Sequence, residues 1–223
     1  MTTHEKYLDD LYLHLIKIDD SKIYNDELFN GIIELLNNYE NLQPKRKIFT
    51  IMLAGIPKWY NVIDLLLKIA DDLIIKYDWF AKDFESKNIK GDSTIMTIGA
   101  SLGKIGFPSD RLEEYSKKIH KNIVEKTNND AICLPFLEAL SKQEDQRAHK
   151  TLQAYLKKHK NYYYQAFQAL INYSDPEDLL IIEPYLSGAH VDLKLHGKGG
   201  DRELHKTAQS AYNKIKKAIE KTK

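Results

Sequence analysis

A short stretch near the carboxyl end of the chain combines residue types that bind phosphates. Residues 190–209, HVDLKLHGKGGDRELHKTAQ, contain three glycines beside lysine, arginine and histidine side chains. A P-loop places such glycines after a strand and ends in Lys and Ser or Thr at the start of a helix. This stretch lacks that ending, and no strand pattern precedes it. We therefore predict that the glycines form a turn between helices and that Asp201 caps the last helix.

The same stretch also holds the residue types that bind metal ions. The candidate ligands lie within sixteen residues and are His190, Asp192, His196, Asp201 and His205. Zinc sites on helices use paired ligands at a set spacing, as in His-x-x-x-His. No pair in this stretch repeats a known ligand spacing, and no second cluster completes a coordination shell. We predict no metal site and no cofactor.

Nucleophilic catalysis has even less support in the sequence. Cys133 lies in the apolar segment DAICLPFLEAL, where a buried thiol is inert. The chain contains neither a Gly-x-Ser-x-Gly elbow nor a His-Glu-x-x-His motif. Paired carboxylates such as those at 71–72 and 113–114 are adjacent residues, so they diverge around a helix. We predict that the protein is not an enzyme.

Composition narrows the remaining function classes. The chain has 223 residues, of which 43% are hydrophobic and 29% are charged, as expected for a folded protein. Lys and Arg total 33 against 32 Asp and Glu, so nucleic-acid binding needs a local basic patch. A single cysteine excludes an intrachain disulfide, and neither a signal peptide nor a membrane span is expected. We predict a soluble, cytoplasmic protein.

One local segment does combine basic and aromatic residues. KKHKNYYYQ, residues 157–165, holds three lysines, a histidine and three tyrosines. Such a pattern can bind single-stranded nucleic acid, by pairing with phosphates and stacking on bases. The lysines equally suit the end of one helix and the tyrosines the start of the next, and acidic residues lie nearby in the sequence. Nucleic-acid binding therefore stays an alternative.

Helical periodicity runs through nearly the whole chain. Thr2 and Glu5 have the spacing of a capping box, which predicts a helix starting there. Pro44 and Pro57 are each predicted at the first position of a helix, where proline is tolerated. The helix after Pro57 keeps an apolar spacing as far as Phe84, and periodicity leaves open whether it is continuous.

The second half of the chain repeats itself. Residues 136–156 and 166–186 align without a gap, residues 98–119 form a looser copy and residues 49–69 a fainter one. Each unit is an apolar helix, a polar turn and a capped second helix, as in Asp175 followed by Pro176. One unit cannot bury its apolar face alone, so stacking of the units is expected.

QALINYSDPEDLLIIEPYL and ASLGKIGFPSDRLEEYSKKI resemble the short bacterial HEAT repeats. The resemblance implies an all-α fold, a right-handed α-solenoid of stacked antiparallel helix pairs (HEAT/ARM-like) with a concave binding surface. The expected domain is 1–223, with a helix pair at 1–43 and HEAT-like repeats at 44–187 that include an insertion near 76–93. An insertion loop at 188–202 and a C-terminal capping helix at 203–223 complete it.

The two insertions are expected on one edge of the repeats, where they would flank a shared surface. The first supplies aromatic anchors beside carboxylates, and the second supplies charged residues. Whether Trp79 and Phe80 belong instead to the core stays open. The predicted partner-binding residues are Tyr77, Asp78, Trp79, Asp83, Glu85, His190, Asp192, Lys194, His196, Lys198, Asp201 and Arg202.

These observations favour a protein-binding module. The compact, Lys- and Asn-rich chain resembles helical-repeat immunity proteins of bacterial toxin systems, which implies a toxin domain, often a nuclease, as the partner and occlusion of its active site as the mechanism. Two alternatives stay open. One is a nucleic-acid-binding protein of the HEAT-like alkylpurine glycosylase type, and the other is a HEAT-repeat lyase or chaperone-like scaffold.

Overall fold

The computed structural model describes residues 2–20, 24–77, 89–127, 130–158, 163–186 and 193–221. In these ranges the chain is all-α, with eleven α-helices and no strand. The helices are α1 (Thr3–Asp20), α2 (Asp26–Asn37), α3 (Pro44–Leu53), α4 (Ile63–Tyr77), α5 (Ile89–Ile105), α6 (Leu112–Ile119), α7 (Asp130–Ser141), α8 (Gln146–Lys158), α9 (Tyr163–Leu170), α10 (Pro176–Leu186) and α11 (Leu193–Lys221).

The helices form two sets of mutual contacts, and further contacts, such as α7 with α8 and α10 with α11, join the sets. The odd-numbered helices form one set, in which α3 packs on α5, α5 on α7, α7 on α9 and α9 on α11. The even-numbered helices form the other: α2 contacts α4, a π-helical turn after α6 (His120–Val124) contacts α4, and α8 contacts α10. We call these sets the odd layer and the even layer. Leu102, Leu140 and Leu170, which the repeat alignment makes equivalent, are all fully buried.

Local signals in the sequence account for several helix starts. The Thr2 hydroxyl accepts from the Glu5 N–H at 3.2 Å, and the Glu5 carboxylate accepts from the Thr2 N–H at 2.5 Å, so the predicted capping box is confirmed. Pro44 opens α3 as predicted. Asp175 caps α10 by accepting from the Glu177 N–H at 2.8 Å, and Pro176 is the first residue of that helix.

The turns before α8 and α10 share an unusual backbone conformation. Glu144 has φ of 57° and Ser174 has φ of 54°, although neither is a glycine. Each residue directly precedes a capping aspartate, Asp145 before α8 and Asp175 before α10. The left-handed region costs a residue with a Cβ roughly 1 kcal/mol, so the two turns hold similar strain. The two aligned repeats thus share a backbone conformation as well as a residue pattern.

The C-terminal helix is longer than the sequence suggested. The predicted boundary between a loop at 188–202 and a helix at 203–223 is wrong, because α11 already begins at Leu193. Gly197, Gly199 and Gly200 therefore lie inside a helix, and Asp201 does not cap one. Each glycine inside a helix destabilises it by only about 1 kcal/mol relative to alanine. The packing of α11 on both α9 and α10 offsets this loss of helix stability.

The prediction that Pro57 opens a helix is also wrong. Pro57 and Lys58 form a turn in which Lys58 has φ of 63° and donates its N–H to the Ile105 carbonyl at 2.8 Å. This bond links the segment before α4 to the end of α5, and α4 itself starts at Ile63. Trp59 is buried against Phe29, with ring centroids 4.9 Å apart, so it belongs to the core. Continuation beyond Tyr77 lies outside the described residues.

No helix among the described residues combines the length and the apolar composition that crossing a membrane requires.

Candidate partner-binding groove

Six of the twelve predicted partner-binding residues lie outside the part of the chain that the structure describes. Asp78, Trp79, Asp83 and Glu85 lie outside the described residues, as do Phe80, His190 and Asp192. Tyr77 is the last residue of α4. The first three turns of α11 contain Lys194, His196, Lys198, Asp201 and Arg202. Residues 159–162 of the basic and aromatic segment also lie outside. A shared surface formed by the two predicted insertions therefore stays a prediction.

The odd layer contains a groove that sequence reasoning did not identify. Its volume is about 610 Å³, and it is lined by side chains of α3, α5, α7 and α9. We call it the α5 groove because α5 contributes the most lining residues. Its volume lies within the range of about 300–1,000 Å³ that is typical of ligand-binding clefts.

Small residues on α5 create the groove. Met96, Ala100 and Gly103 follow one another at helical spacing and line it, and Ala100 is exposed. Gly99 faces α7, where a Cβ added to it would lie 2.6 Å from the Pro135 Cβ. Only glycine fits there, and its small size lets α5 and α7 approach closely. On the side of α5 that faces the groove, the small residues Ala100 and Gly103 leave space above the helix.

The exposed Met52 side chain of α3 forms part of one wall. Met52 lines the groove and is 46% exposed, and Phe49, one turn earlier on the same helix, is 49% exposed. Methionine is flexible and polarizable, and it adapts to partners of different shape. Exposed large apolar groups beside a groove mark a surface suited to binding.

Charged residues lie near the C-terminal end of α5. Lys104 and Lys142 are exposed; Glu138 on α7 is half-buried, and Lys142 directly follows the end of that helix. Lys142 donates to the Gly103 carbonyl at 3.1 Å, which satisfies an acceptor in the last turn of α5. Within the described residues no carboxylate pairs with Lys104. The rim at this end therefore has an excess of positive charge.

The even layer holds a contrasting cluster of buried polar residues. His149 on α8 lies with its Nε2 at 3.0 Å from both carboxylate oxygens of Asp178 on α10, and Asp178 is fully buried. Gln153 donates to Asp178 at 2.8 Å, and the Tyr173 ring stacks on His149 with centroids 4.1 Å apart. We call these four residues the His149–Asp178 cluster. Burial raises the pKa of Asp178, although the bonds from Gln153 and His149 oppose that rise.

A second buried histidine links α6 to α8. His120 has Nδ1 at 2.9 Å from the Ser116 carbonyl and Nε2 at 3.2 Å from the Thr151 hydroxyl. Burial lowers its pKa, because the imidazolium is poorly solvated inside the protein. His120 is only 6% exposed. Both buried histidines therefore join helices and do not face a substrate.

The other candidates for chemistry occupy separate environments. Asp71 pairs with Lys126 at 2.9 Å, whereas Glu113 pairs with Lys117 and Glu114 with Arg111, so the adjacent carboxylates engage different partners. Cys133 is fully buried. In the part of the chain that the structure describes, no three His, Cys, Asp or Glu side chains are placed to hold a metal ion.

Neither the groove nor the buried cluster had a usable signal in the sequence. Gly103 appears there within ASLGKIGFPSDRLEEYSKKI, whose repeat-like pattern reports helix packing, and Gly99 directly precedes that segment. Asp178 appears as an acidic residue in the first turn of a helix, where carboxylates commonly face solvent. His149 and Asp178 are 29 residues apart, so only the packing of α8 on α10 brings them together.

Comparisons of the chain with protein-family models, with curated proteins and with solved structures found no match.

Proposed function

We propose that this protein is a helical-repeat module that binds another protein, and that the α5 groove receives part of that partner. The observation that carries the proposal is the groove itself. Side chains of four odd-numbered helices line it, its floor is made of small apolar residues, and the exposed Met52 lines one side; Phe49, one turn before Met52 on α3, is also exposed. Burying these side chains removes apolar surface from water, which is the main favourable term in protein association.

The arrangement of the helices supports the same function. Odd helices contact odd helices and even helices contact even helices, while pairs such as α7 with α8 and α10 with α11 join the two sets, as expected for stacked helix pairs. We propose that the pairs form a right-handed solenoid of the HEAT/ARM type. Repeat proteins of this class bind partners along extended surfaces, and their function lies in the side chains on that surface.

A narrower form of the proposal makes the partner a bacterial toxin whose active site this protein covers. Acidic and aromatic residues of the segment at 77–85 and charged residues at 190–202 would then add contacts beyond the groove. The added consequence is inhibition: the purified chain should abolish the catalytic activity of the toxin at equimolar concentration. A nuclease is one candidate for that toxin.

The test begins with the full-length chain as bait in a lysate of its native host, followed by identification and purification of the captured protein. Binding is then measured by calorimetry with the purified pair. Met52→Glu and Ala100→Trp should each weaken binding at least about tenfold, because one adds a charge to the wall and the other fills the floor. Both sites are exposed, so the fold should tolerate the changes.

Leu180→Glu provides the matched control, because Leu180 is 69% exposed on α10 and does not line the groove. It introduces the same charge into an exposed apolar site and should leave affinity unchanged. Equal affinity of the wild type and both groove variants for the purified partner would refute groove binding. Capture of nucleic acid alone would refute protein binding.

A further inference from the structure

We infer that the occupant of the α5 groove is an amphipathic α-helix of the partner, with an apolar face toward Ala100 and an acidic residue toward Lys104 and Lys142. This inference rests on the proposed function and specifies the partner at the same site. It follows from the length of the groove, from its floor and from the charges at one end.

The length of the floor suits a short stretch of helix. The α5 residues that line the groove run from Met96 to Lys104. At 1.5 Å per residue this is about 12 Å, or roughly two helical turns. An amphipathic helix that binds in a groove typically uses apolar anchors at positions i, i+3 or i+4, and i+7, which span the same distance.

The floor also suits close approach of a helix backbone. Ala100 and Gly103 present at most a methyl group toward the groove, whereas Met52 and Met96 flank them with flexible apolar side chains. Helix axes approach to about 8 Å when the residues between them are small. An extended peptide would leave backbone N–H and C=O groups facing an apolar floor without partners, whereas a helix satisfies them internally.

The charges define the polarity of the occupant. Among the described residues neither Lys104 nor Lys142 has a carboxylate partner. Lys104 is exposed, and Lys142 donates to the Gly103 carbonyl. Among the described residues Glu138 is the one acidic residue that lines the groove, so these residues give the lining an excess of one positive charge. An acidic side chain on the occupant would complement this end, whereas a basic one would be repelled.

The experiment selects ligands from a display library of helical peptides. The library uses an alanine-rich frame of about 16 residues with randomised positions on every face, and the full-length chain is the target. Peptides that also bind the Met52→Glu variant are removed by counter-selection. The expected survivors have apolar anchors at i, i+3 or i+4, and i+7 and at least one Asp or Glu beside that face.

Methyl NMR then locates the binding site. The chain has three methionines, and two of them, Met52 and Met96, line the groove. With ¹³C-methyl methionine, and with signals assigned from Met52→Leu and Met96→Leu, a selected peptide should shift the signals of both residues saturably. The double variant Lys104→Glu/Lys142→Glu should weaken the acidic peptide at least about tenfold and favour its lysine-substituted counterpart.

Several results would overturn the inference. Survivors that are basic or extended would contradict the predicted occupant, as would binding that leaves both methyl signals unchanged. Methyl shifts that depend on protein concentration alone would make a second copy of this chain the occupant. A different result would refute the proposed function: a purified partner that binds the Met52→Glu and Ala100→Trp variants as tightly as the wild type. Leu180→Glu serves again as the folding and charge control.

Discussion

The α5 groove and the His149–Asp178 cluster lie in opposite layers of the molecule and join their helices in opposite ways. In the odd layer, Gly99 lets α5 meet α7 almost backbone to backbone, and the outward side chains stay small. In the even layer, α8 meets α10 through large polar side chains that bury one another's hydrogen-bonding groups. The contact of α5 with α7 depends on the close fit of small residues, and the contact of α8 with α10 depends on hydrogen bonds between polar side chains.

This difference separates the two roles that the layers play. Buried polar clusters are costly when one member is lost, so they fix one relative position of two helices. The contact between small residues of α5 and α7 requires no hydrogen-bonded partners on the groove side of α5, so that side is free to bind a ligand. We therefore expect substitutions in the even layer to change stability, and exposed substitutions in the groove to change binding. The predictions below test this division, starting with the largest effect.

Asp178→Ala should cause the largest loss of stability. It removes the acceptor for both His149 and Gln153, and it leaves the His149 donor buried and the amide of the half-buried Gln153 without this acceptor. An unsatisfied buried donor costs about 1–3 kcal/mol, so the free energy of unfolding in urea should fall by about 2–3 kcal/mol. Glu177→Ala is the control, because its pair with Lys157 is exposed and should be worth less than about 1 kcal/mol. Equal losses in the two variants would contradict the assigned role of the cluster.

Two neighbouring glycines should respond with opposite signs. Gly99→Ala places a Cβ 2.6 Å from the Pro135 Cβ and 2.9 Å from its backbone carbon, so α5 and α7 must separate at a cost of about 1–3 kcal/mol. The Cβ of Gly103→Ala meets the flexible end of Lys142 at 3.1 Å and Ala139 at an ordinary contact distance of 3.6 Å, and its better helix propensity should stabilise the protein by up to about 1 kcal/mol. Urea unfolding measures both changes. Destabilisation of similar size at both positions would show that the close contact is not local to Gly99.

The two capping aspartates should differ, although the repeats make them equivalent. Asp145 accepts from the Ala148 N–H at 2.8 Å and also from the Ser116 hydroxyl at 3.0 Å, so it joins α6 to α8. Asp175 accepts from the Glu177 N–H. Asp145→Ala should cost about 2 kcal/mol and Asp175→Ala about 1 kcal/mol, by thermal or urea unfolding. The same two substitutions are then measured in a Ser116→Ala variant. If Asp145→Ala still costs about 1 kcal/mol more than Asp175→Ala there, the hydrogen bond from Ser116 to Asp145 does not explain the difference.

The smallest expected effect is a dependence on pH. Burial holds the pKa of folded His120 below its ordinary value of 6.5, so the unfolded chain binds the proton first as pH falls. The contribution of His120 to stability is therefore complete above about pH 6.5 and decreases as pH falls through the lowered pKa, by at most about 1.4 kcal/mol per pH unit. His120→Gln should flatten the dependence of unfolding free energy on pH between 7.5 and 5.

His14→Gln is the matched control for that measurement, because His14 is 53% exposed on α1. It should keep the slope of the wild type. A slope that is unchanged in His120→Gln and reduced in His14→Gln would assign the pH dependence to the surface.

The sequence predicted those features of the fold that are set by residues close together in the chain. The capping box of Thr2 and Glu5, the start of α3 at Pro44 and the start of α10 at Pro176 involve residues within one turn of each other. All-α architecture followed from the same periodicity. Local signals misled where packing overrode them, as in the glycines of α11, which look like turn residues and lie in a helix.

The groove and the buried cluster could not be predicted in the same way. His120 meets Thr151 across 31 residues, and Gly99 meets Pro135 across 36. Such contacts depend on the rotation and spacing of helices, which periodicity does not report. Met96 and Ala100 likewise have an apolar spacing that is typical of a buried face, although Ala100 is exposed. Which face of α5 is covered depends on where α3 and α7 lie.

The left-handed residues before α8 and α10 have a consequence for how the chain can change in length. Glu144 and Ser174 stand thirty residues apart with nearly equal φ, and each leads into a capping aspartate. A recombination event that joined one turn to the other would reconnect residues of nearly equal φ and a matching capping aspartate. Duplication of a thirty-residue unit between these points would therefore start with its junctions already formed. The turns mark where an ancestral gene could have gained or lost a repeat.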